Sequence, residues 1–271
     1  MYMKDFSYAG RKLSDFGCIV TYTNTSISND ISLGSNLKFE TVKNMGTHID
    51  RIVTVDYESP NSITFDIVKK GCNEERIFTD NEISYLMRWL NKKSYEKFCP
   101  IYDDGSYAEI YFKGSFNITA IHINGNVVGF TLTFTPNAPY GFETERTIKV
   151  SLPINGTFEF YNNSDEYGYV YPIKFEIICG ANGEFIMNNS IDEKNTVKIV
   201  NCKNGEIITL DCQNKIIQTN NDSHSSICKD FNYNFPRFKS TEYENENVFT
   251  VSMPCEITVT YSLIRKVGII V

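Results

Sequence analysis

The chain has 271 residues, of which 41% are hydrophobic, 14% aromatic and 22% charged, and its formal net charge is −7 at pH 7. This composition supports one large or two ordinary domains with a substantial core. The acidic balance, with a pI of about 5.1, argues against nucleic-acid binding through a basic face.

The first 70 residues predict strands and loops. Residues 1–20 indicate a short hairpin with its turn at Ala9-Gly10, and Phe16-Gly17 then leads into a strand. Residues 24–46 are polar and aperiodic, so we predict a long surface loop there. The segments IDRIVTVDYES and NSITFDIVKK alternate apolar and polar residues and are joined by the turn signal Ser-Pro-Asn at 59–61.

Residues 79–98, TDNEISYLMRWLNKKSYEKF, form the one clearly helical stretch. Its apolar residues recur at i, i+3, i+4 and i+7, on one face of an α-helix: Ile83, Leu86, Met87 and Leu90. Thr79 and Glu82 fit a capping box at the helix start. Trp89, the only Trp of the chain, lies within this stretch. A short helix in a β protein typically seals an open sheet edge or a barrel mouth.

Strands and turns resume after the helix. Asp103-Asp104-Gly105 predicts a tight turn, and FNITAIHI and NVVGFTLTF predict a hairpin across Asn124-Gly125. The prolines and small residues of TPNAPYGFE indicate a domain boundary. From residue 146 onward, nine short strands at roughly 8–12-residue spacing predict an antiparallel sandwich or jelly roll. Their segments are TIKVSL, GTFEFYN, YPIKFEII, EFIMNN, TVKIV, EIITLDC, KIIQT, VFTVSM and EITVTYSLI.

The sequence contains no recognisable catalytic or metal-binding pattern. His48, His122 and His224 are scattered along the chain, and we interpret them as ordinary strand and loop histidines. The eight cysteines include no CxxC pair and no zinc spacing. We interpret them as reduced structural thiols, with disulfides as the alternative. The patterns GxxxxGK[ST], GxGxxG and GxSxG do not occur.

Four tyrosines cluster in FYNNSDEYGYVYP, at Tyr161, Tyr167, Tyr169 and Tyr171. Tyrosines on a β-sandwich can stack on sugar rings, so a sugar platform is one interpretation. The other is a strand face on which Tyr169 and Tyr171 are half-buried. No run approaches the roughly 20 apolar residues of a membrane helix, and the N-terminal MYMKDFSYAG lacks an apolar signal region. We therefore expect synthesis in the cytoplasm and no membrane association.

Together, these segments resemble the distal tail protein (Dit) family of long-tailed, siphovirus-type phages. DFSYAGRKLSDFGCIV resembles the family's opening strand, with its aromatic-Gly and Phe-Gly elements. MRWLNKKSYEKF followed by DDGSYAEIYFKGSF resembles its central block, and GFTLTFTPNAPYGFE resembles its domain junction. In the second half, YPIKFEI, Asn188-Asn189, LDC with Asp211, FPRF and EITVTYSLI occur in the family's order. Two departures are Lys92-Lys93, where Pro-Pro is usual, and the polar stretch TNNDSHSSICKDFNYN.

The resemblance implies a mainly β fold with two domains. Residues 1–142 would form a β-sandwich carrying one α-helix and a β-hairpin, and residues 143–271 would form a galectin-like β-sandwich or jelly roll. Six copies would form a ring that joins the tail tube to the tail tip of the virion, after synthesis in a bacterial host. The implied partners are the tail tube protein, a tail-associated hub protein and a receptor-binding protein. DNA would pass through the lumen without specific binding, which suits an acidic chain.

The implied role is structural, without enzymatic activity or a cofactor, and no catalytic or metal-binding residue is predicted. We predict assembly or structural roles for six aromatic residues in the segments that carry the resemblance: Phe6, Tyr8, Phe16, Trp89, Tyr95 and Tyr107. One alternative is a stand-alone carbohydrate-binding adhesin module, which would bind host polysaccharide as an isolated chain. Another is a tail-borne cell-wall hydrolase, which would need titratable residues converging in a cleft.

Overall fold

Antiparallel strands dominate the computed structural model of the chain, which describes residues 3–21, 36–46, 48–58, 62–71, 76–106 and 108–269. The chain divides into two units, residues 1–143 with 265–271, and residues 144–264. The strands of the first unit are β1 (Met3–Tyr8), β2 (Arg11–Lys12), β3 (Cys18–Thr21), β4 (Leu37–Lys43), β5 (Asp50–Tyr57), β6 (Ile63–Lys69), β7 (Glu96–Tyr102), β8 (Ile110–Ile123), β9 (Asn126–Pro136) and β10 (Gly141–Glu143).

The strands of the second unit are β11 (Arg146–Leu152), β12 (Thr157–Tyr161), β13 (Gly168–Val170), β14 (Lys174–Cys179), β15 (Gly183–Asn189), β16 (Val197–Cys202), β17 (Ile207–Asp211), β18 (Ile216–Thr219), β19 (Phe238–Ser240), β20 (Glu246–Val251) and β21 (Cys255–Tyr261). A last strand, β22 (Ile264–Arg265), crosses from the second unit to the first. The described α-helices are α1 (Asp80–Leu90) and α2 (Ile227–Asp230). Neither has the length and hydropathy needed to span a membrane. The predicted mainly β fold is confirmed.

A nine-stranded sheet organises the first unit, in the order β2-β1-β7-β8-β9-β6-β3, with β10 pairing with β8 and β22. Both hairpins predicted from turn residues are present. Asn124 and Gly125 connect β8 to β9, and both have positive φ, at 50° and 82°. That conformation belongs to the type I′ turn, which matches the twist of the flanking strands.

Helix α1 covers the core of this unit with its apolar face. Leu86, Trp89 and Leu90 are buried, and the predicted capping box is present, because the Thr79 hydroxyl accepts from the Glu82 N–H while Glu82 accepts from the Thr79 N–H at 2.8 Å. The helix ends at Leu90, however, and not at residue 98. Residues 96–102 instead form β7, which pairs with β1 on one side and with β8 on the other and buries alternate side chains.

The prediction of a loop over residues 24–46 was wrong for residues 37–43. Residues 22–35 lie outside the described part of the chain, but β4 occupies 37–43 and pairs with β5 as a separate two-stranded sheet. The register shifts between Glu40 and Thr41. The extra residue at this point is Val53 of β5. Within β4, Leu37 and Phe39 lie on one face and Val42 lies on the other. The strand consequently lacks the regular alternation by which it would have been recognised.

Two sheets that share one core form most of the second unit, with orders β11-β21-β14-β17-β18 and β12-β20-β15-β16, and β13 pairs with β19 as a separate two-stranded sheet. All nine strands predicted from residue 146 onward are present. Alternation directs apolar side chains into one core, as in β14, where Phe175, Ile177 and Cys179 are buried. The predicted sandwich is thus confirmed. Residues 79–98 were predicted as the one clearly helical stretch, but a 3₁₀ turn (Asp222–His224) and α2 also lie in the polar stretch at 219–234.

The end of the chain returns to the first unit. Residues 265–271 were predicted to belong with the second domain, but β22 pairs with β10 and Arg265 contacts Glu143 at 2.6–2.7 Å. Val267 and Ile269 pack against the first core. A pairing between residues more than 120 positions apart carries no local sequence signal, which is why the assignment by proximity along the chain failed.

Candidate assembly surface

Trp89 is the centre of an aromatic cluster in the first unit. Its ring stacks on Phe16 at 4.4 Å and on Phe6 at 5.7 Å between centroids. Its indole N–H donates to the Tyr8 carbonyl at 2.7 Å. Helix α1 and the hairpin β1–β2 are thereby joined by one side chain that satisfies its only polar group. Four of the predicted aromatic residues therefore meet at one place.

These aromatic side chains make their contacts mainly with other residues of the same chain. Phe6, Tyr8 and Trp89 are buried, and the Tyr8 hydroxyl donates to the Gly114 carbonyl at 3.3 Å. Burial, together with the nearby Glu96 carboxylate, raises the pKa of Tyr8 to about 12, so this phenol stays protonated and keeps donating. Their placement accounts for a structural role in packing, while an effect on assembly stays a prediction.

The other two predicted residues are not part of this cluster. Tyr95 follows α1 and is 62% exposed, which leaves it accessible to a neighbouring molecule. Tyr107 lies outside the described residues. Neither observation tests the assembly role predicted for them.

The hairpin of β4 and β5, residues 37–57, is the most unusual surface of the first unit. All its described residues are exposed except Tyr57, which is half-buried and packs edge-on against Tyr140 at 6.2 Å. We call it the apolar hairpin because its large hydrophobic side chains are open to solvent: Leu37, Phe39, Val42, Met45, Ile49, Ile52, Val53 and Val55. Contiguous exposed apolar residues of this kind mark an interaction site.

The apolar side chains of this hairpin lie mainly on one face. Phe39 pairs with Val55 and Thr41 pairs with Ile52, so Leu37, Phe39, Ile52 and Val55 share that face. The face is exposed in the described part of the chain. Because two-stranded hairpins are only marginally stable in water, contact with another molecule would also stabilise the hairpin.

The charges of the apolar hairpin do not favour one sign. Lys38, Lys43 and Arg51 are interspersed with Glu40, Asp50 and Asp56. The net acidity of the chain is therefore not concentrated here. An apolar contact, and not attraction to an oppositely charged partner, is the interaction that this surface supports.

The three histidines do not converge, but His224 is unexpectedly buried. Its Nδ1 lies 2.7 Å from Glu206 Oε1 and its Nε2 lies 3.1 Å from Asp230 Oδ2. Each ring nitrogen thus has a carboxylate oxygen as its hydrogen-bond partner. Burial alone would raise the pKa of Glu206, but hydrogen bonds from Thr219, the Lys203 N–H and His224 hold it below the usual value.

This buried cluster anchors the polar stretch at 219–234. The hydroxyl of Ser226 donates to Asp230 at 2.8 Å and, with Asn201 and His224, lowers the pKa of that carboxyl. The cluster thus ties the 3₁₀ turn and α2 to the sandwich. It lies within the folded unit as a structural tie, and sequence reasoning missed it because a His in a polar segment is usually exposed.

The four clustered tyrosines do not form one sugar platform. Arg237 lies 3.7 Å over the ring of Tyr169, and Lys215 lies 2.9 Å over that of Tyr171, so each has a cation on its face. Tyr161 donates to Glu246 at 2.7 Å. Tyr167 instead faces a separate cleft.

The described cysteines are free thiols: Cys18, Cys99, Cys179, Cys202, Cys212, Cys228 and Cys255. All except Cys99 and Cys228 are buried. Among the described residues, no grouping of His, Cys, Asp and Glu side chains could hold a metal ion.

Comparison with known proteins agrees with this architecture. The crystal structure of phage SPP1 Dit (gp 19.1), described as a paradigm of the hub adsorption apparatus in phages infecting Gram-positive bacteria, superposes with a TM-score of 0.62 at 13% sequence identity. The match covers 97% of this chain and 100% of the Dit chain, so the Dit fold extends over both units. No curated protein matches the sequence.

Family models divide the sequence at nearly the same place as the structure. Residues 1–138 match the phage tail protein N-terminal domain, and residues 140–261 match the phage tail C-terminal domain. The chain therefore belongs to this family of phage tail proteins.

Proposed function

We propose that this phage tail protein is a structural hub at the tail tip, six copies of which close into a ring. The single observation that carries the proposal is the apolar hairpin, which exposes eight large hydrophobic residues on an otherwise well-packed unit. A phage tail protein with the fold of a hub adsorption protein has an evident use for such a surface, namely contact with the next copy. The ring would join the tail tube to the tail-tip apparatus.

A closed ring repeats one contact between two different faces of the same chain. The apolar hairpin supplies one face. We assign the other to the β3 edge of the nine-stranded sheet, which ends the sheet in the described part of the chain. An edge strand carries backbone groups able to pair with another chain.

The expected energetics favour hydrophobic closure. Each Val, Leu, Ile or Phe side chain that becomes fully buried contributes about 1.5–3 kcal/mol, whereas an exposed ion pair contributes about 0–1 kcal/mol. Apolar contacts should therefore dominate, and the ring should persist at high salt. The proposed partners are the tail tube protein above the ring and the tail-associated hub and receptor-binding proteins below it. DNA would pass through the lumen unbound, since a net charge of −7 per chain offers phosphate no basic groove.

Light scattering with mass determination tests the proposal. The wild type should give six times the chain mass of 31.1 kDa, or should form a complex with six copies of the chain when it is mixed with tail tube protein. Ile52→Lys, in the apolar hairpin, should give monomers with an unchanged melting temperature, because Ile52 is exposed in the isolated chain. Tyr85→Lys, on the exposed face of α1, is the matched control and should assemble normally.

Two results would contradict the proposal. One is a wild-type chain that remains monomeric and also fails to close with tail tube protein. The other is an Ile52→Lys variant that assembles as the wild type does, which would remove the apolar hairpin from the interface.

A further inference from the structure

We propose that Cys179 and Cys202 form a redox-active pair in the second unit, which a peroxide oxidises to a disulfide between the two sheets of the sandwich. Cys179 is the last residue of β14, and Cys202 is the last residue of β16. These two strands belong to different sheets. The pair is independent of ring closure and adds a site of covalent modification to the proposed hub.

Hydrogen bonds hold the ends of these two strands together. The Cys179 N–H donates to the Glu206 carbonyl at 2.9 Å, and the Gly205 N–H donates to the Cys179 carbonyl at 2.7 Å. The Asn204 N–H donates to the side-chain oxygen of Asn182 at 2.9 Å, which joins the turn after β14 to the turn after β16. The turn that follows β16 is therefore attached directly to the end of β14.

The two thiols lie in the same core and contact each other. Both are buried among the apolar side chains that the two sheets share. The Cys179 thiol donates a hydrogen bond to the Cys202 sulfur, which raises the pKa of Cys179 and lowers the pKa of Cys202. Disulfide formation then requires the sulfur atoms to approach from hydrogen-bond contact to about 2.0 Å, which a change of side-chain torsion can provide.

Cys255 is the competing partner for Cys179. It lies opposite Cys179 in the pairing of β14 with β21, and burial raises its pKa to about 11. The thiolate is the reactive form of cysteine, so the Cys255 thiol is held in the unreactive form. We therefore assign the first reaction to Cys202 and the completion of the disulfide to Cys179, whose thiol already contacts it.

The oxidant reaches the pair through the exposed turn at 203–205, which directly follows Cys202. Local opening of such a turn exposes the end of the adjacent strand without unfolding the sheets, and hydrogen peroxide is small and uncharged. The Cys202 thiolate attacks one peroxide oxygen, the O–O bond breaks, and the departing hydroxide takes up the proton that Cys202 released. The Cys179 thiol then attacks the sulfur of the resulting sulfenic acid and expels water. Two thiols and one peroxide thus give one disulfide and two waters.

The disulfide would fasten one sheet of the sandwich to the other. It closes the loop over residues 180–201 and so restricts the unfolded chain, which stabilises the folded unit. Disulfides are rare in the cytosol and persist on virion surfaces. We therefore expect the pair to be reduced during synthesis and oxidised in the released tail. This timing rests on the proposed tail-tip role, whereas the reactivity of the pair does not.

Hydrogen peroxide treatment of the full chain tests the proposal, in a Cys228→Ser background that removes an exposed thiol. After alkylation of the remaining thiols, peptide mass spectrometry should find Cys179 joined to Cys202. Hydrogen exchange in β14 and β16 should become at least about tenfold slower in the oxidised chain, while β8 and β9 of the first unit keep their rates. Dithiothreitol should restore the original exchange.

Two further substitutions in this background separate the pair from the other buried thiols. Cys202→Ala should abolish both the disulfide and the slower exchange. Cys212→Ala is the matched control, because it removes another buried thiol of the same core. It should leave the disulfide and its effect on exchange in place.

Three outcomes would overturn the proposal. One is free thiols at Cys179 and Cys202 after a treatment that oxidises Cys228 in the wild type. Another is a disulfide that joins Cys179 to Cys255 instead. The third is equal exchange in the oxidised and reduced chains, which would show that the disulfide does not fasten the sheets. The chain with its core cysteines intact gives all three results, so they stand even if Cys202→Ala fails to fold.

Discussion

At the residue scale, Trp89 illustrates how one side chain can serve two purposes. Its ring fills the space between Phe6 and Phe16, and its N–H satisfies the Tyr8 carbonyl. The sequence marked it only as the single Trp on a helix. Its position in a core, and not on a sugar-binding surface, followed from contacts with residues more than 70 positions earlier in the chain.

Replacing Trp89 with Ala should lower the free energy of unfolding by about 3–5 kcal/mol, as large-to-small changes of buried aromatic residues do. Trp89→Phe is the matched control. It keeps an aromatic ring but removes the donor to Tyr8, so it should cost about 1–3 kcal/mol. Urea denaturation measures both values. An alanine variant within 1 kcal/mol of wild type, a threshold set by ordinary surface changes, would show that the cluster does not stabilise the fold.

At the element scale, the stretch at 219–234 shows a segment held by charge and not by apolar burial alone. Its 3₁₀ turn and α2 are tied to β16–β18 through Glu206, His224 and Asp230. The pattern of polar residues correctly indicated a departure from regular strands. It could not indicate the tie, because the partners come from separate turns of the chain.

This tie should make stability depend on pH on the acid side. The pKa values of Glu206 and Asp230 are lowered in the folded protein. Their contribution is therefore present above the ordinary carboxyl pKa of about 4 and is lost as the pH falls through the lower folded values. The free energy of unfolding, measured by denaturation at several pH values, should fall below pH 4 in the wild type. Glu206→Gln should show a shallower decline.

Asp222→Asn serves as the control for this experiment, since it changes a charge in the same segment outside the cluster. Its acid profile should run parallel to that of the wild type. A Glu206→Gln profile with the full wild-type decline would mean that other carboxylates determine the acid sensitivity.

The apolar hairpin belongs to the same scale. Its two strands form because residues 37–43 and 50–57 pair with each other, yet no part of the described chain covers their apolar side chains. The alternation of apolar and polar residues predicted β5 but did not predict β4. In β4 the apolar residues change face between Phe39 and Val42, and pattern recognition depends on an unbroken period of two.

At the scale of the whole molecule, the first unit is completed by the last residues of the chain. Ile269 is only 6% exposed and packs in the first core, while Arg265 contacts Glu143. Residues at both ends of the sequence therefore contribute to one core. Truncation at the sequence-predicted domain boundary would remove part of the first unit.

Ile269→Ala should cost about 2–5 kcal/mol, within the range for buried Ile truncation, and the loss should appear in the first unit. Hydrogen exchange of the intact chain should show faster exchange in β10 and β8, while β14 and β21 keep their protection. Ile154→Ala changes an exposed residue of the second unit and should leave both patterns unaltered. Faster exchange confined to residues 144–264 would contradict the placement of Ile269.

The sequence by itself determined the features that depend on neighbours along the chain. The alternation of apolar and polar residues predicted the nine strands of the sandwich in the second unit. Turn residues predicted the hairpins at 9–10 and 124–125. The helical period of the apolar residues and the capping box predicted α1. Tertiary structure alone decided which apolar residues are covered, such as Trp89, and which are not, such as Ile52. It also decided the pairing of β22 with β10 and the burial of His224. These features depend on contacts between distant residues, and local periodicity contains no information about them.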